Sequence, residues 1–205
     1  MKILNLYAGI GGNRKLWGDE HEITAVEYDD EIADIYSHFF PNDNVIIEDA
    51  HEFILDNHRE FDFIWSSPPC PTHSRFNFLL QNIPEKYEKK YPEMELYQEI
   101  IYLKHFFKGY WVVENVISYY DPLIEPQKSN NHYFWANFII PVFEKDNRAI
   151  RGNKKNFEIK QKRNGFNVEN FKISAKKKRN ILNNCVLPEL GKAILDNAIA
   201  TLNDN

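Results

Sequence analysis

Cysteine is scarce in this chain: there are two in 205 residues, Cys70 and Cys185. Two thiols cannot build a disulfide framework or a four-thiolate zinc site, and both are expected to be reduced in a cytoplasm. The seven histidines do not fall into a spaced ligand set, so no metal is expected. No apolar run is long enough to span a membrane, and the opening Met1-to-Tyr7 stretch is too short for a signal peptide. There is no internal repeat, and no linker marks two independent domains. The dinucleotide pattern G-x-G-x-x-G is missing as well: after Gly9 and Gly11, its last glycine is replaced by Arg14.

What is present argues for a folded body. Hydrophobic residues make up 43% and aromatics 15%, above what a disordered chain carries. The net charge of −5 hides an asymmetry. Between Lys145 and Asn180 there are 13 Lys+Arg against 3 Asp+Glu, a local +10 that leaves −15 on the remainder. An acidic body with one basic segment suits a polyanionic partner reached from one side, although a solvated basic loop has the same composition.

Short apolar runs alternate with amphipathic ones. Strands are expected over Ile3–Tyr7, Ile23–Tyr28, Val45–Ile47, Phe61–Trp65 and Tyr110–Val116, and a further one over His132–Ile140. Helices are expected after the first strand through Trp17, over Asp30–Phe40, around Phe53, over Pro92–Phe107 and at the end of the chain, where Pro188 opens a helix. The long helix carries Leu96, Ile100, Leu103 and Phe107 on one face. This alternation predicts an α/β fold with a mostly parallel, doubly wound sheet. The segment from Lys145 to Asn180 shows no clear period.

The chemistry concentrates at strand ends, where open α/β sheets place their ligands. Pro68-Pro69-Cys70 follows the fourth strand, so a rigid step aims a thiol outward. Such a thiol is a nucleophile if something nearby favours its thiolate; a helix N-terminus or Arg75 could do so. Glu114 ends the fifth strand, where partial desolvation would raise its pKa and keep it protonated. A thiolate and a neutral carboxylic acid at adjacent strand ends suit attack on a heterocycle. The turn Tyr7-Ala8-Gly9-Ile10-Gly11-Gly12 lets the backbone approach a ligand. Glu27 and Tyr28, after the second strand, are placed for a ribose and an adenine, or are simply exposed. Asp49, after the third, is an adenine contact, a helix N-cap, or both.

These residues together resemble the DNA cytosine-C5 methyltransferase family. The likeness runs from about Leu4 to Ala198 through the Tyr7–Gly12 turn, Glu27, Asp49, Pro68-Pro69-Cys70 with Ser74, Glu114-Asn115-Val116 and Asn184-Cys185-Val186-Leu187-Pro188. It implies a Rossmann-like S-adenosylmethionine-dependent methyltransferase fold. It also implies S-adenosylmethionine held by Tyr7, Gly9, Ile10, Gly11, Gly12, Glu27, Tyr28, Asp49, Pro68, Asn184 and Val186. Cys70 would attack C6 of a flipped-out cytosine, Glu114 would contact its N3 edge, and Ser74 and Asn115 would complete the catalytic set. The implied division is a catalytic and cofactor-binding body over 1–142, a reduced target-recognition segment over 143–180 and a returning C-terminal helix over 181–205. Double-stranded DNA would be met by Arg75, Lys154, Lys155, Lys176, Lys177, Lys178 and Arg179. The setting expected is a bacterial or phage-infected cytoplasm, in restriction–modification or phage biology.

Two departures stand out. The family's Gln-x-Arg-x-Arg is represented by Gln127-Lys128-Ser129-Asn130-Asn131, without either arginine; Arg148 or Arg151 are the substitutes in view. The target-recognition region is short, which implies relaxed recognition or a partner subunit that completes specificity. RNA cytosine methylation, as on a tRNA loop, and a non-catalytic accessory protein are the alternative readings.

Overall fold

The apolar runs become the strands of one sheet. The computed structural model describes residues 1–83, 88–144 and 154–203. In it β1 (Lys2–Leu6), β2 (Glu22–Val26), β3 (Asn44–Ile46), β4 (Phe63–Ser66) and β5 (Tyr110–Val116) run parallel. A hairpin of β6 (Gln127–Ser129) and β7 (His132–Ala136) turns at Asn130 and adds β7 antiparallel to β5. The order across the sheet is β3-β2-β1-β4-β5-β7-β6. The sheet is therefore mostly parallel, as the alternation requires. The last expected strand, His132–Ile140, ends at Ala136, and β6 was not foreseen.

Alternation along each strand divides the core in two. Leu4, Leu6, Ile64, Val113 and Trp135 face α2 (Ala50–Asn57) and α4 (Glu95–Phe106). Ile3, Phe63, Trp65, Val112 and Phe134 face Trp17 and α7 (Pro188–Asn203). A central parallel strand buried on both faces reads as one continuous apolar run, which is why β4 and β5 are plain in the sequence. Each fully buried large side chain on these faces stabilises the fold by about 1.5–3 kcal/mol.

The basic stretch is helical where it is described. Lys154–Asn164 forms α5 and Ala175–Asn183 forms α6. Their apolar residues are few among the lysines, Phe157 and Ile159 in α5 and the Ile181-Leu182 pair in α6, so the periodicity is masked. Phe157, Phe166, Val168, Ile181 and Leu182 nevertheless pack on Ile35, Tyr36 and Phe40 at α1 (Asp30–Phe39). Ser174 caps α6 by accepting from the Lys177 amide.

Arg14, at the position of the absent glycine, is a buried structural residue. Its guanidinium donates to both carboxylate oxygens of Asp43, at 2.9 and 3.0 Å, and Tyr36 Oη donates to Asp43 Oδ2 at 2.8 Å. Its charge is thereby neutralised beneath the turn.

Candidate active site

The first half of the site is the turn that follows β1. Tyr7 adopts φ +54°, a left-handed conformation that costs a non-glycine residue about 1–3 kcal/mol. Gly9 is also left-handed, at φ +56°, and a Cβ built there would meet nothing within 4 Å, so open space lies above the backbone. Gly9 N donates to Glu27 Oε2 at 2.8 Å and Asp29 N donates to Oε1 at 3.0 Å. Each oxygen keeps a lone pair for a further donor, as a ribose diol supplies. Tyr28 is 77% exposed. Asp49 is exposed and caps α2, accepting from His51 N and Glu52 N through Oδ1 alone. It is therefore the N-cap, with its second oxygen outside those bonds. Ile10 is buried in the core instead of lining the turn.

Gly12 sits where the C-terminal segment returns. A Cβ there would lie 2.7 Å from Val186 O and 3.0 Å from Cys185 Cβ. Val186 is buried; Asn184 is exposed, at the C-cap of α6. Trp17 Nε1 donates to Gly191 O at 3.1 Å, which fixes α7 against the same turn. Cys185 donates its thiol to Ile181 O, and burial pushes its pKa up to about 12, as befits a packed residue.

The second half is the loop after β4. Pro68 is buried and its carbonyl accepts from Asn115 Nδ2 at 3.0 Å. Further along, Ser74 bridges to Ser118, Tyr119 N donates to His73 O, and Arg75 Nε donates to Ser118 O at 2.9 Å. Tyr120 Oη and His73 Nδ1 are 2.6 Å apart. The segment 68–75 is thus zipped along 115–120, and Cys70 is carried to Glu114. The two are close enough to interact electrostatically: burial first, then the Glu114 charge, pushes the Cys70 thiol up to about 11. The expected lowering by a helix N-terminus or by Arg75 does not occur. The α3 helix (Arg75–Gln81) starts after Cys70, and Arg75, whose Nε donates to the Ser118 carbonyl, is not among the groups that shift the thiol. Glu114 itself is 8% exposed, with His132 Nε2 3.5 Å from its Oε1.

A third group joins the two halves and was missed in the sequence. Glu99 of α4 is buried, accepting from Tyr7 Oη and Ser66 Oγ, each at 2.5 Å, with His51 Nδ1 at 3.1 Å. One carboxylate therefore ties the turn after β1, the end of β4 and the start of α2. Burial and Glu99 push the Tyr7 phenol above its ordinary range; the hydrogen bond to Glu99 raises the pKa of His51. A signal existed: position 99 lies three residues after Leu96 and four before Leu103, on the apolar face.

The basic residues fall into three sets. Lys176 and Arg179 are exposed on α6, as is Arg75 on α3. Lys177 is bonded to Asp29 and Glu31 of the body, and Lys178 to Glu169 O. The side chains of Lys154 and Lys155 lie outside the described residues, as do Arg148 and Arg151. Among the described residues no group of His, Cys, Asp and Glu could hold a metal ion, and no helix is long and apolar enough to cross a membrane.

A glycine turn after β1, an acidic residue after β2 and this strand order define a Rossmann-like methyltransferase fold. The sequence pattern of the C-5 cytosine-specific DNA methylases matches residues 1–117, more than half of the 205-residue chain, and the chain belongs to that family. Its methyl donor is accordingly S-adenosylmethionine, which the open backbone at Gly9, the anchored Glu27 and the exposed Tyr28 fit. No curated protein matches in sequence. The Entamoeba histolytica methyltransferase EhMeth shares the fold, with a TM-score of 0.58, 12% identity and 98% of each chain covered. A DNMT2 variant from Spodoptera frugiperda is 28% identical over 56% of this chain and 35% of its own, at a TM-score of 0.38. The chain thus spans about a third of that relative's length. A putative DNA modification methyltransferase of an E. coli prophage is 17% identical, covering 59% of this chain and 33% of its own, at a TM-score of 0.39.

Proposed function

We propose that the protein methylates C5 of cytosine in double-stranded DNA through a covalent adduct between Cys70 and C6 of a flipped-out base. The observation that carries the reading is the zipped loop, which holds a thiol beside a nearly buried carboxyl group at two adjacent strand ends. Bound S-adenosylmethionine supplies a methyl carbon already activated on a sulfonium.

The chain's own residues do the rest. Cys70 Sγ, once deprotonated, forms a bond to C6, and the C5–C6 π electrons move onto C5, which uses that pair to bond the incoming methyl group. Glu114 meets the N3 edge and stabilises the charge that develops on the ring. When the C5 proton is lost to a base, the double bond re-forms and Cys70 departs as thiolate. Asn115 holds the loop through Pro68, and Ser74 holds its far end through Ser118. The resting thiol is protonated at neutral pH, so its activation belongs to the complex with substrate. Flipping is required because C5 and C6 are stacked inside a duplex.

We assign the body to 1–142 with the helix of 181–205, and nucleic-acid contact to the basic segment 143–180 together with Arg75. Lys176 and Arg179 are exposed and suited to phosphates, which give affinity with little sequence discrimination. Short or relaxed target recognition, or a specificity subunit, follows. A phage or restriction–modification setting in a cytoplasm accords with this economy.

The test is trapping on a 5-fluorocytosine duplex in the presence of the donor. A denaturation-resistant adduct that disappears with Cys70→Ala supports the reading. Absence of an adduct, or tritium transfer from labelled donor to tRNA but not to DNA, overturns it.

A further inference from the structure

We propose that His132 is a positioning residue that supplies, beside Glu114, the positive charge missing from the segment after the Glu114-Asn115-Val116 strand. The inference rests on the cytosine-C5 reading and names a residue for it.

Three observations carry it. The positions that the family resemblance would fill with arginine are Ser129 and Asn131, neither of them basic. They lie in β6 and the hairpin turn, and the next residue, His132, opens β7. In the antiparallel register Glu114 stands opposite Phe134 and Val116 opposite His132. His132 is therefore the diagonal neighbour of Glu114 on the same sheet face, within reach of a long side chain. Its Nε2 lies 3.5 Å from Glu114 Oε1. Finally, His132 Nδ1 is buried without a hydrogen-bond partner.

A protonated imidazole carries a donor on each nitrogen. Nε2–H directed at Oε1 offsets the Glu114 charge and fixes the carboxyl group, leaving Oε2 for the pyrimidine edge. Nδ1–H remains a donor for an acceptor on a seated base. The same cation weakens the repulsion between Glu114 and a Cys70 thiolate. Among the described residues the titratable groups meeting Glu114 are His132 from β7 and Cys70 from the loop after β4. Lys128 of β6 lies over the Tyr133 ring, whose side chain belongs to the opposite face of the sheet.

The test uses the full chain in a Cys185→Ala background, so that Cys70 is the reporting thiol. Alkylation by iodoacetamide is followed at about pH 5.5 and about pH 9, either side of an ordinary histidine midpoint of about 6.5. His132→Gln should react about threefold slower than the parent at the lower pH, and at the parent's rate at the higher. His132→Arg should be faster than His132→Gln at both. Equal rates for parent and His132→Gln at the lower pH, or an arginine variant no faster than the glutamine one, overturn the proposal. Should His132→Gln fail to fold, the parent alone decides. Its logarithmic rate falls below unit slope against pH through the histidine range if a cation assists, and a straight unit slope overturns the proposal. Trapping on 5-fluorocytosine DNA separates the two readings. A parent that shows the thiol response but no adduct keeps the His132–Glu114 coupling and removes cytosine methylation.

Discussion

Asn115 Nδ2 donates to the carbonyl oxygen of Pro68 at 3.0 Å, and both residues are buried. Asn115 follows Glu114 and Pro68 precedes Cys70 by two, so this bond is one of those that hold the nucleophile's loop against the strand carrying the carboxyl group. Asn115→Ala leaves a buried carbonyl unsatisfied, at a cost of about 1–3 kcal/mol. Denaturant unfolding should show that loss. Adduct formation on 5-fluorocytosine DNA should fall further than the stability change accounts for, and Asn115→Asp, which removes the donor and sets a buried carboxyl group against the Pro68 carbonyl, should lose at least as much.

Glu114→Gln has opposite effects on two readouts. The Glu114 charge contributes to the raised pKa of Cys70, so its removal lowers that pKa from about 11 and accelerates alkylation at pH 8. Methyl transfer should drop because the ring loses its acidic partner. A variant that alkylates no faster than the parent would show that the two groups do not interact.

Glu99 should prove central to both stability and donor binding. Its side chain is fully buried, and Glu99→Ala orphans the hydroxyls of Tyr7 and Ser66. A loss of about 2–5 kcal/mol in chemical denaturation is expected. Glu99→Gln keeps the volume and should separate stability from affinity. Calorimetry with S-adenosylhomocysteine should show weaker binding, because Tyr7 is no longer tied down in its left-handed conformation.

The His51–Glu99 pair sets a pH dependence. Folding raises the pKa of His51, so the pair stabilises fully below the ordinary histidine value. That contribution is lost as pH rises through the raised value. Melting temperature measured from pH 6 to pH 9 should therefore decline more steeply in the parent than in His51→Gln. Parallel profiles would show that the pair is not coupled to folding.

The lysines of α6 should separate by partner. Lys176→Ala with Arg179→Ala removes two exposed cations and should reduce the salt slope of DNA binding by about two. Lys177 is engaged with Asp29 and Glu31, so Lys177→Ala should leave that slope nearly unchanged. Fluorescence anisotropy across a salt series distinguishes the two.

Much of this architecture is legible in the chain because the central strands are buried on both faces. Phe63–Ser66 and Tyr110–Val116 are apolar runs whose ends carry the chemistry, so Cys70 and Glu114 can be paired before any coordinates are known. The C-terminal segment expected to return to the body does so beside the glycine turn, where Gly12 meets Val186. Other features depend on partners distant in sequence. Arg14 reads as a failed glycine until Asp43 is beside it. His132 reads as one strand residue among several, because no local pattern gives the β5–β7 register. The helices of the basic segment are hidden because their apolar residues find partners only in distant parts of the chain, on α1 and at the turn after β1. The state of the Cys70 thiol differs from the expectation for a related reason: Arg75, five positions on in sequence, turns its guanidinium to the Ser118 carbonyl, and the groups that act on the sulfur are its own burial and Glu114.

The tie between Trp17 and Gly191 spans 174 positions of the chain. A nascent polypeptide still emerging from the ribosome therefore has the glycine loop but lacks the helix that backs it. The loop is therefore backed only once two segments far apart along the chain have met.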